Sequence, residues 1–144
     1  MYRKILLAYD DSTFSAAVLR QGAELASLCQ AELHLLSIVV TTGVMAIAEA
    51  VGPEDVWGLE QQNLQRVVAA AAQDLHNQGL TVIACIRYGD PAVEIAAYAR
   101  EVNADLVVLG HTSKGMLTRW FQGSVGAKLL DHLPCSLLVA TGRD

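Results

Sequence analysis

The residues best suited to chemistry lie in one polar stretch, from residue 110 to residue 124. It carries His111, Lys114 and Arg119, and it ends in Gly123-Ser124. A helical apolar pattern follows at once. Because a helix start offers unpaired backbone N–H groups and the positive end of the helix dipole, this arrangement favours a bound phosphate or another anion. The alternative is a solvated loop in which Ser124 only caps the helix.

The elements around this stretch indicate a parallel sheet. The unbroken apolar run 106–109 is typical of a strand buried on both faces, and Gly110 is predicted to end it. After the helix that starts at Ser124, residues Cys135 to Ala140 predict the last strand. The whole chain alternates strands and helical patterns, β-α-β-α-β-α-β-α-β. This predicts a doubly wound, open parallel sheet of five strands in a single domain, residues 1–144.

Asp10 is the candidate functional residue of the first half. It directly follows a predicted strand, and ligands of open parallel sheets bind beyond the carboxyl ends of strands, where the strand order reverses. A carboxylate there can accept hydrogen bonds from a ribose hydroxyl; a turn or cap residue is the alternative. The other elements predicted in this part are strands 5–9, 32–40 and 80–88, a helix from about Pro53 to Gln78 stopped by Gly79, and a helix capped by Asp90. Residues 41–57 give no clear pattern.

The spacing of glycines resembles the nucleotide loop of the universal stress proteins. That signature has a glycine after a strand, two residues, a second glycine, nine residues, then Gly followed by Ser or Thr. Gly110, Gly123-Ser124 and the spacing match, whereas the second glycine falls on Ser113. The resemblance extends to the start of the chain (4–12) and to its end (134–139).

This resemblance implies an adenine nucleotide alpha-hydrolase-like fold with strand order 3-2-1-4-5, and binding of ATP or AMP, with or without Mg²⁺. The adenine would pack near Ile38, which is otherwise a core isoleucine, and the ribose would meet Asp10. Phosphates would lie against Gly110 and the helix start at Gly123. The residues that the resemblance assigns to nucleotide binding are Ala8, Tyr9, Asp10, Ile38, Leu109, Gly110, Ser113, Gly123, Ser124 and Val125. The family usually dimerises, which implies a homodimer through the last strand, Cys135–Ala140.

Ser113 supports a rival interpretation. If its position needs a positive φ or close approach of the backbone to a phosphate, serine is disfavoured there by about 1 kcal/mol or more. The rival is a dimeric interaction module of the same fold that binds no nucleotide.

Motifs of dedicated enzymes are missing from the sequence. Gly110 and Gly115 begin like a P-loop, but Met116 and Leu117 stand where Lys and Ser or Thr are needed. There is no G-x-G-x-x-G fingerprint, no G-x-S-x-G elbow and no metal-ligand spacing. The sequence therefore predicts a binding protein with no catalytic residue, and a slow ATPase or nucleotidyl-transfer enzyme is the third possibility.

Composition narrows the class further. The chain is 53% hydrophobic and 17% charged, which excludes disorder, and its net charge of -5 argues against nucleic acid as the main partner. No apolar run is long enough to span a membrane. The three cysteines are odd in number, far apart and set among apolar residues, so we expect buried inert thiols in a reducing cytoplasm.

Overall fold

The computed structural model describes residues 1–9, 15–40, 53–111 and 129–141. Within them five strands form one sheet in the order β3-β2-β1-β4-β5, and the neighbouring strands pair in parallel. This confirms the sheet type from the alternating pattern and the strand order implied by the resemblance. The strands are β1 (Lys4–Ala8), β2 (Glu32–Val40), β3 (Val82–Gly89), β4 (Leu106–His111) and β5 (Ser136–Thr141), and the helices are α1 (Ser15–Cys29), α2 (Pro53–Asn77) and α3 (Pro91–Val102).

The core has two halves, one on each face of the sheet. Alternate residues of a strand point to opposite faces, so Leu7 faces α1 and α2 whereas its neighbour Leu6 faces α3. Both leucines are fully buried. Helices cover both faces, which is the doubly wound arrangement.

Two helix boundaries lie at the stop and cap residues that the sequence predicted. Gly79, just after α2, has φ +85°, a conformation that glycine adopts without the steric cost of a Cβ. At the start of α3, an Asp90 carboxylate oxygen accepts the Val93 N–H at 3.1 Å, which confirms the predicted N-cap.

Gly110 was expected to end the fourth strand, and that prediction is wrong. β4 continues through Gly110 to His111, and these two residues pair with Ala140 and Thr141 of β5. The glycine serves close packing instead, because a Cβ on Gly110 would lie 2.5 Å from Cγ2 of Val18 in α1. The other predicted strand ends differ from the observed ones by one or two residues, while β2 has the predicted bounds.

Candidate functional site

The strand order reverses at the boundary between β1 and β4. From β1 the chain first moves to one side, through β2 to β3, and later to the other side, through β4 to β5. β1 pairs with β4 up to Leu7↔Val108, so the carboxyl ends of the two strands lie side by side. In open α/β sheets such a reversal leaves a crevice in which ligands bind.

Residues from three strands form the described part of this edge. Ala8 and Leu109 are buried on the α3 face, where they pack with the same apolar cluster. Ile38 of β2 is half-buried and lies against that cluster, so it leaves apolar surface near the strand ends. The structure therefore brings Ala8, Ile38 and Leu109 to one edge and one face, as an apolar support for a flat ligand requires.

Tyr9 and Gly110 continue β1 and β4 at this edge. Tyr9 directly follows β1, its backbone N–H donates to the Leu36 carbonyl at 2.8 Å, and its side chain packs against the cluster under α1. Gly110 is where α1 approaches the sheet through Val18. The absence of a Cβ at Gly110 has a structural cause whether or not a phosphate lies nearby.

The remaining predicted site residues lie outside the described residues. They are Asp10, Ser113, Gly123, Ser124 and Val125, together with the loop cations Lys114 and Arg119. Their assignments stay predictions from the sequence.

Ser37 is a residue at this edge that the sequence interpretation missed. Its side chain is 1% exposed, and its hydroxyl donates a hydrogen bond to the Tyr9 carbonyl at 2.6 Å. The available signal was a single serine among apolar residues of β2, but the sequence does not show where its hydroxyl points.

A second polar group lies on the α3 face and centres on His34. His34 is 4% exposed, its Nε2 lies 2.7 Å from a Glu32 carboxylate oxygen, and its Nδ1 lies 3.3 Å from the Tyr98 hydroxyl. The two rings meet edge to face, with centroids 5.9 Å apart. His34 is therefore a buried residue packed within β2.

Arg87 extends this polar group toward the carboxyl end of the sheet. In the strand register it is the β3 partner of Ile38. Its guanidinium lies 5.0 Å from the centre of the Tyr98 ring, pairs with Glu101, and comes within 3.6 Å of a Glu94 oxygen. The hydrogen bond to Glu101 is the main reason that the pKa of Arg87 is raised above its ordinary value. Arg87 is thus a cation already matched by carboxylates of α3.

A separate groove lies between α1 and α2. Its volume is about 680 Å³, and Leu19, Ala23 and Leu75 are among its apolar lining, with Glu24 and Asp74 also lining it. None of the described residues assigned to nucleotide binding (Ala8, Tyr9, Ile38, Leu109 and Gly110) lines it.

The three cysteines are free thiols. They are half-buried rather than fully buried, which corrects the expectation from their apolar neighbours, since Cys29 ends α1 and Cys135 directly precedes β5. Burial, and secondarily the charge of Asp105, raises the pKa of the Cys135 thiol. Little of the reactive thiolate therefore forms there at neutral pH.

The described residues contain neither a cluster of metal ligands nor a helix suited to crossing a membrane. Among residues 1–9, 15–40, 53–111 and 129–141 no three His, Cys, Asp or Glu side chains come together as metal ligands. None of the helices traced there combines the length and the hydropathy that a membrane crossing requires.

Comparison with known proteins identifies related chains over nearly the full length. The model of the universal stress protein family matches residues 1–141. A universal stress protein from Synechocystis is 30% identical over 139 residues, which are 96% of this chain and 85% of the relative.

Solved structures show the same fold. A universal stress protein from Archaeoglobus fulgidus in complex with dAMP superposes with a TM-score of 0.66 at 20% identity, over 96% of this chain and 98% of that chain. A universal stress protein in complex with cAMP superposes with a TM-score of 0.67 at 18% identity, over 99% of this chain and 98% of that chain.

Proposed function

This chain belongs to the universal stress protein family, and from that premise we propose that it binds an adenine nucleotide, ATP or AMP, at the crevice between the ends of β1 and β4. The observation that carries the proposal is the reversal of strand order there, with half-buried Ile38 beside the two strand ends. The dAMP and cAMP complexes of two proteins with this fold support the choice of ligand class.

The parts of the nucleotide are assigned by combining this edge with the sequence signature. Adenine packs on Ile38, and the ribose hydroxyls donate to the Asp10 carboxylate. The phosphates meet backbone N–H groups at Gly110 and at the helix start Gly123-Ser124, where the helix dipole favours negative charge. The loop cations Lys114 and Arg119 offset the charge of the phosphates.

Calorimetric titration of nucleotide-stripped protein with Mg-ATP and with AMP tests this function. We expect saturable binding near one nucleotide per chain. Gly123→Val should abolish it because a side chain then stands where the backbone meets the phosphates. Gly115→Val is the matched control, since Gly115 lies in the same stretch but outside the signature, and it should bind as wild type does. Equal ATP affinity of Gly123→Val and wild type would remove the phosphate assignment.

The nucleotide is proposed as a ligand rather than as a substrate for rapid chemistry. The same preparation, incubated with Mg-ATP, should show no hydrolysis or nucleotidyl transfer above background. Turnover that is abolished in Asp10→Ala would overturn this part of the proposal and make the chain an enzyme.

The second proposed property is a homodimer through β5. Among the described strands β5 lies at the edge of the sheet, where its outer backbone groups can pair with those of a second copy. Leu138 and Val139 are 37% and 38% exposed although both are apolar, and they point to opposite faces of the strand. Pairing two β5 strands across a two-fold axis would cover both side chains.

Leu138→Lys tests the dimer, with the mass in solution measured by light scattering. Because Leu138 is partly exposed, a lysine there is tolerated in the folded chain but opposes the pairing of two edges, so we expect folded monomer. Leu130→Lys is the control, since Leu130 is 51% exposed and precedes β5. An unchanged dimer in Leu138→Lys would exclude this interface. A folded dimer without nucleotide affinity would establish the interaction module that Ser113 favours.

A further inference from the structure

The side chain of Ser37 ties the end of β1 to β2 at the proposed nucleotide site. Its hydroxyl donates to the Tyr9 carbonyl over 2.6 Å, a short distance for this type of bond. Tyr9 is the first residue after β1, whose last paired residue is Ala8 opposite Leu36. The bond therefore acts one residue beyond the last residue of β1 that pairs with β2.

The position of Ser37 makes a simple packing role a poor explanation. By strand alternation it shares the α1–α2 face with Leu35 and Val39, both buried and apolar. Among the residues whose burial the structure describes, His34 and Ser37 are the buried polar ones. An apolar side chain would fill such a place without the cost of removing a hydroxyl from water.

The geometry of the peptide bond gives this contact a consequence. The carbonyl of Tyr9 and the nitrogen of the next residue belong to one rigid plane, with C=O and N–H on opposite sides in the trans form. Holding the Tyr9 carbonyl toward β2 therefore fixes the plane from which Asp10 begins.

We infer that Ser37 is a positioning residue for the nucleotide site: its hydroxyl orients the peptide between Tyr9 and Asp10 so that the Asp10 carboxylate meets the ribose hydroxyls. This inference rests on the proposed function. It assigns Ser37 no contact with the nucleotide. Ser37 acts by orienting the peptide from which Asp10 follows. A change at Ser37 should therefore affect recognition of the ribose more than affinity for the phosphates.

The test uses Ser37→Thr and Ser37→Val, a pair with nearly the same shape in which only threonine keeps the hydroxyl. Each full-length variant is titrated with ATP and with 2′,3′-dideoxy-ATP, which lacks both ribose hydroxyls. Wild type and Ser37→Thr should prefer ATP by about tenfold, the order expected for hydrogen bonds to a charged carboxylate. In Ser37→Val the preference should fall toward one, with dideoxy-ATP affinity nearly unchanged. Asp10→Ala, which removes the acceptor oxygens, should also lose the preference, and Ser37→Val should add little to that loss.

The outcomes separate this inference from the proposed function. Circular dichroism and thermal unfolding check that each variant is folded. A wild type that binds neither nucleotide would overturn the proposed function, and the role of Ser37 with it. A wild type that binds ATP, with the same preference retained in Ser37→Val, would overturn the positioning role alone. Equal weakening of both ligands would also overturn it, because a purely structural defect does not distinguish the two sugars.

Discussion

The two faces of the sheet hold their helices in different ways. On the face covered by α1 and α2, α1 packs closely against the sheet because glycines stand at two of the contact positions. A Cβ on Gly22 would overlap Leu7, and a Cβ on Gly110 would overlap Val18. The buried cluster on this face is apolar. The buried polar residue described on this face is Ser37, which lies near the carboxyl end of β2.

The face covered by α3 has a polar network inside its apolar cluster. His34 joins Glu32 of its own strand to Tyr98 of α3, and Arg87 joins β3 to Glu101 of the same helix. Hydrogen bonds and charges therefore help to fix α3, whereas close contact fixes α1. Steric fit is insensitive to pH and salt, but hydrogen bonds between titratable groups are not. Substitutions on the two faces should therefore destabilise the folded protein by different mechanisms.

The largest effect should come from filling the contact beneath α1. Gly110→Ala should lower the free energy of unfolding by up to about 3 kcal/mol, the upper range for overpacking, because Val18 must move. Val18→Ala removes the opposing methyl groups, so the double variant should lose less than the sum of the two single losses by about 0.5–3 kcal/mol. Urea unfolding of the four proteins measures this. Strict additivity would show that the methyl group added at position 110 does not clash with Val18.

The sequence predicted elements where the signal is local. β2 has its predicted bounds, and α2 begins at the predicted proline and ends two residues before Gly79, whose positive φ no other residue adopts as easily. The predicted end of β4 was wrong because Gly110 was interpreted as the residue that ends the strand. The structure explains the glycine by its close contact with Val18, a residue far away in the chain. Sequence periodicity carries no information on such a contact.

The candidate site was predictable to a similar extent. Spacing and family resemblance pointed to Ala8, Ile38 and Leu109, which the structure places at one edge. They did not point to Ser37, because the partner of a buried hydroxyl depends on strand register and packing. The strand order itself came from the resemblance, since an alternating pattern fits several orders.

An intermediate effect is expected from His34→Leu on the α3 face. The substitution leaves the Tyr98 hydroxyl without its imidazole partner in a buried position, which should cost about 1–3 kcal/mol of unfolding free energy. Adding Tyr98→Phe removes the orphaned hydroxyl, so the double variant should regain part of the loss. If the double variant were less stable than His34→Leu, the hydrogen bond would not be what makes His34 necessary.

The smallest effect at neutral pH, and the one that separates the faces most sharply, concerns Tyr98→Phe. The cost should lie near the lower end of about 1–3 kcal/mol, because the buried His34 imidazole loses one partner but keeps its Nε2 contact with Glu32 at 2.7 Å. Burial is the main reason that the pKa of the Tyr98 phenol is raised, and the neighbouring Cys85 adds to the shift, although Arg87 opposes it. The folded protein therefore keeps this proton where the unfolded chain, which ionises near pH 10, has lost it.

The sign follows from that difference in proton binding. The contribution of Tyr98 is complete below about pH 10 and is lost as pH rises through the folded-state pKa, because unfolding then releases a proton. Wild type should thus lose stability more steeply than Tyr98→Phe above pH 10 when midpoints of urea unfolding are compared. Gly110→Ala should follow the wild-type slope, since the contact with Val18 holds no titratable group. Equal slopes in wild type and Tyr98→Phe would show that the phenol keeps its ordinary pKa and that the α3 face owes no pH dependence to Tyr98.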